Sequence, residues 1–139
     1  MNIDWVIPCR YAEIHDNLAT IVGGGIDTFW VAELPTPIQL VLVMRLLAMA
    51  EEIGPDQKHT VVNRVRDPKG ELLSEVEGEF AAAAEAARPE WLVGVILAGI
   101  VQFEAAEEGA YMIEQFVDDT SMEFPIHIVH GSPSGIELP

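Results

Sequence analysis

Carboxylates grouped in two turns are the side chains of this sequence best suited to hold a metal ion. One group is Asp118 with Asp119, and the other is Glu104 with Glu107 and Glu108. Calcium takes six to eight oxygen ligands, which clustered loop carboxylates can supply. Neither group follows the twelve-residue alternation of an EF-hand loop, and carboxylates mostly stay solvated unless paired. Calcium or small-ligand binding through these acidic loops is therefore the alternative function.

Histidine, serine and cysteine residues lack the spacing that catalysis or zinc binding needs. His127 and His130 are three residues apart, so on a strand they point to opposite faces and cannot share a metal ion. Cys9 is the single cysteine, which excludes an internal disulfide and a cysteine-rich zinc site. No serine lies in a nucleophile-elbow motif. A hydrolase of unknown substrate is the third hypothesis, with no catalytic residue and no cofactor assigned.

Three consecutive glycines, Gly23-Gly24-Gly25, have backbone N–H groups that could cradle an anion. The run lacks the third spaced glycine of a dinucleotide fingerprint and the Gly-Lys-Ser/Thr of a P-loop. Glycine adopts positive φ without a steric penalty. The run therefore predicts a bend or bulge between two strands.

The stretch from Ile21 to Trp30, followed by Glu33-Leu34-Pro35, resembles an uncharacterised family of small bacterial proteins, chiefly from actinobacteria. The shared pattern is a glycine run, then aspartate-threonine, an aromatic residue and a proline. The Asp67-Pro68-Lys69-Gly70 turn and the Gly109-Ala110-Tyr111 segment are similar to that family as well. The resemblance implies a β-sandwich in the bacterial cytoplasm. It transfers no catalytic residue, because that family has no established activity.

Composition excludes several classes of function. The 139 residues include 23 acidic and 7 basic ones, a formal charge of −16, yet 50% are hydrophobic. So many apolar residues argue against disorder, and the negative charge argues against nucleic-acid and membrane-surface binding. The length predicts one domain over residues 1–131, with an extended or frayed tail at 132–139. The absence of a secretion signal or a long apolar span predicts a cytoplasmic protein.

Short apolar segments separated by turn residues predict an all-β chain. About eight strands favour a single antiparallel β-sandwich of immunoglobulin-like or related topology, with a closed barrel as the alternative. The clearest hairpin joins Lys58–Arg66 to Glu71–Phe80, and Arg64 and Arg66 are predicted to face its glutamates. Residues 81–87, mostly alanine, form either a helical turn or lid, or a loop.

Apolar residues exceed what one core needs. The segment from Ile38 to Ala50 has no clearly polar face, as expected of a strand covered on both sides. A buried helix would have the same composition, and the β-rich neighbours favour the strand. A two-layer sandwich leaves its outer faces in water, so a loop, the alanine segment or another chain must cover the surplus. The leading function is a non-enzymatic sandwich that self-associates, most simply as a dimer, or binds a protein partner. The interface candidates are Met112, Phe116, Leu42, Met44 and Leu46.

Overall fold

Ten β-strands and one 3₁₀ turn, Ala50–Glu52, build residues 1–132, the part of the chain that the computed structural model describes. The strands are β1 (Asn2–Cys9), β2 (Tyr11–His15), β3 (Leu18–Val22), β4 (Thr28–Val31), β5 (Thr36–Ala48), β6 (Lys58–Arg66), β7 (Leu72–Ala81), β8 (Val93–Ala105), β9 (Gly109–Val117) and β10 (Thr120–His130). The all-β prediction is confirmed. Within residues 1–132 no helix is long and apolar enough to cross a membrane. The predicted tail at 132–139 lies outside the described residues from position 133 onward.

Three sheets are formed. A five-stranded sheet of order β4-β10-β9-β6-β7 packs against a three-stranded sheet of order β1-β5-β8, while β2 and β3 form a separate hairpin. The strands pair antiparallel, apart from the parallel pair of β10 with β4. Both larger sheets end in edge strands over residues 1–132, so the sandwich is confirmed over the closed barrel. The immunoglobulin-like topology stays a prediction.

The core lies between the two larger sheets because alternate residues of their strands point inward. On β5 the inward residues include Leu42, Met44 and Leu46, all buried in the two core clusters. These three residues were predicted as interface candidates, and the structure buries them inside the sandwich. Their side chains face the five-stranded sheet, and Leu42 and Met44 line a cavity between the two larger sheets.

The opposite face of β5, predicted to be covered as well, is only partly buried: Val43 is buried, whereas Gln39 is exposed and Val41 is half-buried. Val43 on β5 and Cys9 beside it on β1 are fully buried, although neither belongs to the core between the larger sheets. The Asn17 side chain, at the hairpin turn, donates to the Gly94 carbonyl (2.6 Å) and accepts from the Ile96 N–H (2.8 Å). Through these bonds the β2–β3 hairpin is held against β8, next to the outer face of β5.

Asn17→Gly is expected to loosen this hairpin. Asn17 has a φ of 58°, which glycine adopts freely, so the change removes only the two side-chain hydrogen bonds. Each contributes about 0.5–1.5 kcal/mol, so hairpin opening should become about 5–150 times more frequent. The labelling rate of the buried Cys9 thiol measures this opening. Asp16→Gly, at the neighbouring turn position, is the matched control, and equal labelling rates in the two variants would contradict the prediction.

The alanine segment is a loop. From residue 82 the chain runs without helix to β8. The Ala82 side chain is buried in the core, and its carbonyl accepts the Gly54 N–H (3.2 Å). Seven residues before a proline are too few to nucleate a stable helix, and the contacts of Ala82 favour an extended path.

Candidate functional site

The outermost strand of the five-stranded sheet, β7, presents an array of backbone hydrogen-bonding groups. Thr60 on β6 directs its backbone toward β9, because its carbonyl accepts the Asp118 N–H and its N–H donates to the Asp118 carboxylate, both at 3.0 Å. Successive residues of a strand direct these groups to opposite sides. In the β6–β7 register, the even-numbered residues of β7 therefore bond β6. Beyond the register shift at Leu73, the odd-numbered residues Glu75, Glu77 and Glu79 direct their N–H and C=O groups away from the sheet, and we call these groups the β7 edge.

Most side chains on both faces of β7 are exposed, whereas Phe80 near its end packs against the core. Val76 lies on the inward face yet is 56% exposed, and Leu72 and Leu73 are exposed as well. The outward face carries Glu75, Glu77 and Glu79. The β7 edge is thus accompanied by apolar side chains on one face and carboxylates on the other.

The predicted pairing of the β6 arginines with the hairpin glutamates is half right. Arg64 Nε donates to Glu75 of β7 at 2.6 Å, as predicted. Arg66 Nε donates to Glu114 of β9 at 2.7 Å instead. A register shift between Val65 and Arg66 places Arg66 opposite Leu72 on β7. Arg66 therefore has no glutamate directly across the hairpin and turns to β9.

A cavity of about 240 Å³ lies beside β7, between the two larger sheets. Apolar side chains dominate its lining, and Asn63 and Gln115 are its amide side chains. Gln115 is 1% exposed, and its Nε2 donates to Asn63 Oδ1 at 3.0 Å. Among residues 1–132 its Oε1 atom has no hydrogen-bond partner. A buried acceptor in this state costs about 1–3 kcal/mol, and native structures contain few of them.

The predicted acidic groups lie at opposite ends of β9. Asp118 and Asp119 form the turn to β10, whereas Glu104, Glu107 and Glu108 lie around the turn that precedes β9. Nine residues of strand span about 30 Å, so one ion cannot bind both groups. Across residues 1–132, no three His, Cys, Asp or Glu side chains lie close enough together to hold a metal ion.

The Asp118 carboxylate has a structural role in a cluster around His59. His59 is 8% exposed, and its Nδ1 and Nε2 lie 2.7 Å from Asp118 and 2.6 Å from the Glu52 carbonyl oxygen. Both partners are acceptors, so both ring nitrogens must carry protons. Burial alone lowers the pKa of His59, but the bonds to Asp118 and Glu52 outweigh it and raise the pKa. Burial alone raises the pKa of the Asp118 carboxyl, but the bonds from Thr60 and His59 outweigh burial and lower this pKa below its usual value.

The two remaining interface candidates, Met112 and Phe116, are half-buried on the outer face of β9. The Arg64 guanidinium lies 4.8 Å from the centroid of the Phe116 ring. The Arg66–Glu114 pair crosses from β6 to the same face of β9. Arginine side chains therefore cover part of this apolar surface, and the β7 edge is the more accessible site.

The comparisons with known proteins identify a family without an activity. A family model described as Family of unknown function (DUF6941) matches residues 4–129. The match begins within β1 and ends within β10, so it includes β7 and the cavity-lining residues. No curated protein matches the chain.

Proposed function

The chain belongs to DUF6941, a family of unknown function, and we propose that it is a protein-binding module that takes up an extended partner segment along the β7 edge. The observation that carries the proposal is the outward direction of the N–H and C=O groups of Glu75, Glu77 and Glu79 on a ten-residue edge strand. Strand addition uses such groups for affinity and the flanking side chains for specificity.

The structure of β7 fits this role. Natural proteins usually keep exposed edge strands short or interrupt them with proline or a bulge. Over residues 74–80, beyond the irregularity at Leu73, β7 has neither a proline nor a register shift. Its inward face next to Val76 also offers apolar surface to an added strand. The β7 edge is thus long enough and regular enough to pair with a second strand.

A second copy of this chain is a poor partner for the β7 edge. In a twofold antiparallel pair, residues directly opposite each other share a face. If the twofold axis passes through any residue from Glu75 to Glu79, a glutamate of one copy lies directly opposite a glutamate of the other. Like charges in this position are destabilising. The β7 edge therefore favours a different protein over the dimer that the sequence suggested, and we place this interaction in the bacterial cytoplasm.

Replacing Glu77 tests strand addition directly. Proline is tolerated on an edge strand where its nitrogen faces away from the sheet, so Glu77→Pro removes one outward N–H and leaves the β6–β7 ladder intact. Glu77→Gln keeps that N–H and loses only the charge. Ten-residue peptides selected from a random display library against the wild-type protein should bind Glu77→Pro about tenfold more weakly than Glu77→Gln. Fluorescence anisotropy with labelled peptides measures the difference.

Amide hydrogen exchange provides the second readout. The amides of the β7 edge should become protected when a selected peptide binds. Equal affinity of the two Glu77 variants, unchanged exchange at these amides, or a saturated library without binders would each contradict the proposed function.

A further inference from the structure

Resting on the proposed function, we infer that the partner segment carries a basic–aromatic–basic–x–basic pattern, with the aromatic side chain in the cavity beside Gln115. The aromatic residue is tyrosine or tryptophan, because the cavity requires an apolar side chain that ends in a hydrogen-bond donor. The inference depends on the charges of the β7 outward face and on the unpartnered Gln115 acceptor.

The basic positions follow from Glu75, Glu77 and Glu79, which lie two residues apart on the outward face. A residue directly opposite each of them on an added strand shares that face. Glu75 is paired with Arg64 across β6, whereas within residues 1–132 Glu77 and Glu79 form no salt bridge. Lysine or arginine opposite these glutamates would neutralise them. The formal charge of −16 also favours the encounter with a basic segment.

The position of the aromatic residue follows from Gly78. A residue opposite Gly78 on the added strand points inward, toward the cavity. Gly78 itself has no side chain to occupy the space there, and a Cβ atom at its position would meet only Val61, at 3.9 Å. The cavity is lined on this side by Phe80 and Glu79 of β7, the residues that follow Gly78.

The chemistry of the aromatic residue follows from the cavity. Its volume of about 240 Å³ is several times the roughly 30 Å³ share of one water molecule, so it has room for a side chain. Leu42, Met44 and Leu97 are among its apolar lining residues. Gln115 Oε1 supplies one buried acceptor. Tyrosine and tryptophan combine a large apolar ring with one donor, and both usually find a partner when buried.

The register fixes the spacing of the pattern. With the aromatic residue opposite Gly78, its two neighbours lie opposite Glu77 and Glu79. The residue three positions away lies opposite Glu75. These three positions are the basic ones. On a partner strand antiparallel to β7, the order basic–aromatic–basic–x–basic runs from the N-terminus to the C-terminus of the peptide, so the selected peptides should show it in that direction only.

Sequencing the selected peptides and measuring synthetic versions of the best one tests the inference. Replacing its basic residues by glutamine should weaken binding about tenfold, and less at high salt. Tyrosine to phenylalanine in the peptide should weaken binding to the wild-type protein several-fold, but have little further effect on the Gln115→Leu variant. This coupling separates a hydrogen bond to Gln115 from a structural effect of the substitution.

The outcomes for the two proposals are distinguishable. Peptides that protect the β7 edge amides but lack the basic pattern, or that show no coupling to Gln115, would overturn the inference and leave the proposed function standing. Peptides that carry the pattern but leave those amides unprotected would overturn both.

Discussion

Tyr111→Ala is expected to lower the free energy of unfolding by about 3–5 kcal/mol. Tyr111 is buried in the larger core cluster, and its ring stacks on Phe103 with the centroids 5.1 Å apart. Its hydroxyl donates to the Glu107 carbonyl at 2.7 Å, so the side chain also fixes the turn between β8 and β9. Alanine removes both the ring and this bond and leaves a cavity. Urea denaturation followed by tryptophan fluorescence measures the loss.

Tyr111→Phe separates the two contributions. It keeps the ring in the core and removes only the hydroxyl, so the expected loss is about 1 kcal/mol. A loss below about 1 kcal/mol for Tyr111→Ala would contradict the prediction, because the core would then have to refill the space of a whole ring.

Hairpins with distinctive turns were predictable because their determinants are local. The β6–β7 hairpin was expected at Lys58–Arg66 and Glu71–Phe80, and the strands are Lys58–Arg66 and Leu72–Ala81. The Asp67 carboxylate accepts the N–H groups of Lys69 and Glu71, both at 2.9 Å. Four adjacent residues therefore determine where the chain reverses.

Burial on β5 was predictable only in part, since composition does not show what covers each face. The sequence indicated a strand buried on both sides, which is correct for the inward face, whereas the outer face is only partly buried. It could not show that β2, an unpredicted strand of five residues, would return with β3 over the outer face. Without this cover, the apolar residues of β5 suggested an interface, and Leu42, Met44 and Leu46 were assigned to it.

The candidate site depends on strand order, which is a non-local property. Nothing within residues 72–81 shows that β6 would pair with β9 on one side and leave β7 outermost. Gln115, in contrast, carried a local signal. It lies between Ile113 and Val117 at the same two-residue spacing, so it had to point into the core with them. A polar residue on a buried strand face could have been noted as a site candidate from the sequence.

His59→Ala is expected to lower the free energy of unfolding by about 2–3 kcal/mol in mildly acidic solution. The imidazole ties β6 to the β9–β10 turn through Asp118 and to the 3₁₀ turn through the Glu52 carbonyl. Its removal leaves the Asp118 carboxylate and that carbonyl without this donor. Thermal or urea denaturation as a function of pH measures the loss.

The pH dependence of this loss has a definite sign. The pKa of His59 is raised in the folded protein, so its contribution is complete below the ordinary value of 6.5 and disappears as the pH rises through the raised value. The pKa of Asp118 is lowered, so its contribution is complete above 3.8 and disappears as the pH falls through the lowered value. Both contributions are therefore complete between these two values, and His59→Ala should be most damaging there.

Asp118→Asn is the matched partner for a double-mutant cycle. Asp118 has a φ of 49°, and asparagine tolerates this left-handed conformation, so the change removes charge with little backbone strain. The coupling free energy between positions 59 and 118 should be about 1–2 kcal/mol near pH 5.5 and should fall as the pH rises through the raised pKa of His59, where the imidazole loses its proton. A coupling that stays constant over this range would mean that the contact is a neutral hydrogen bond. It would contradict the imidazolium that the two acceptors around His59 require.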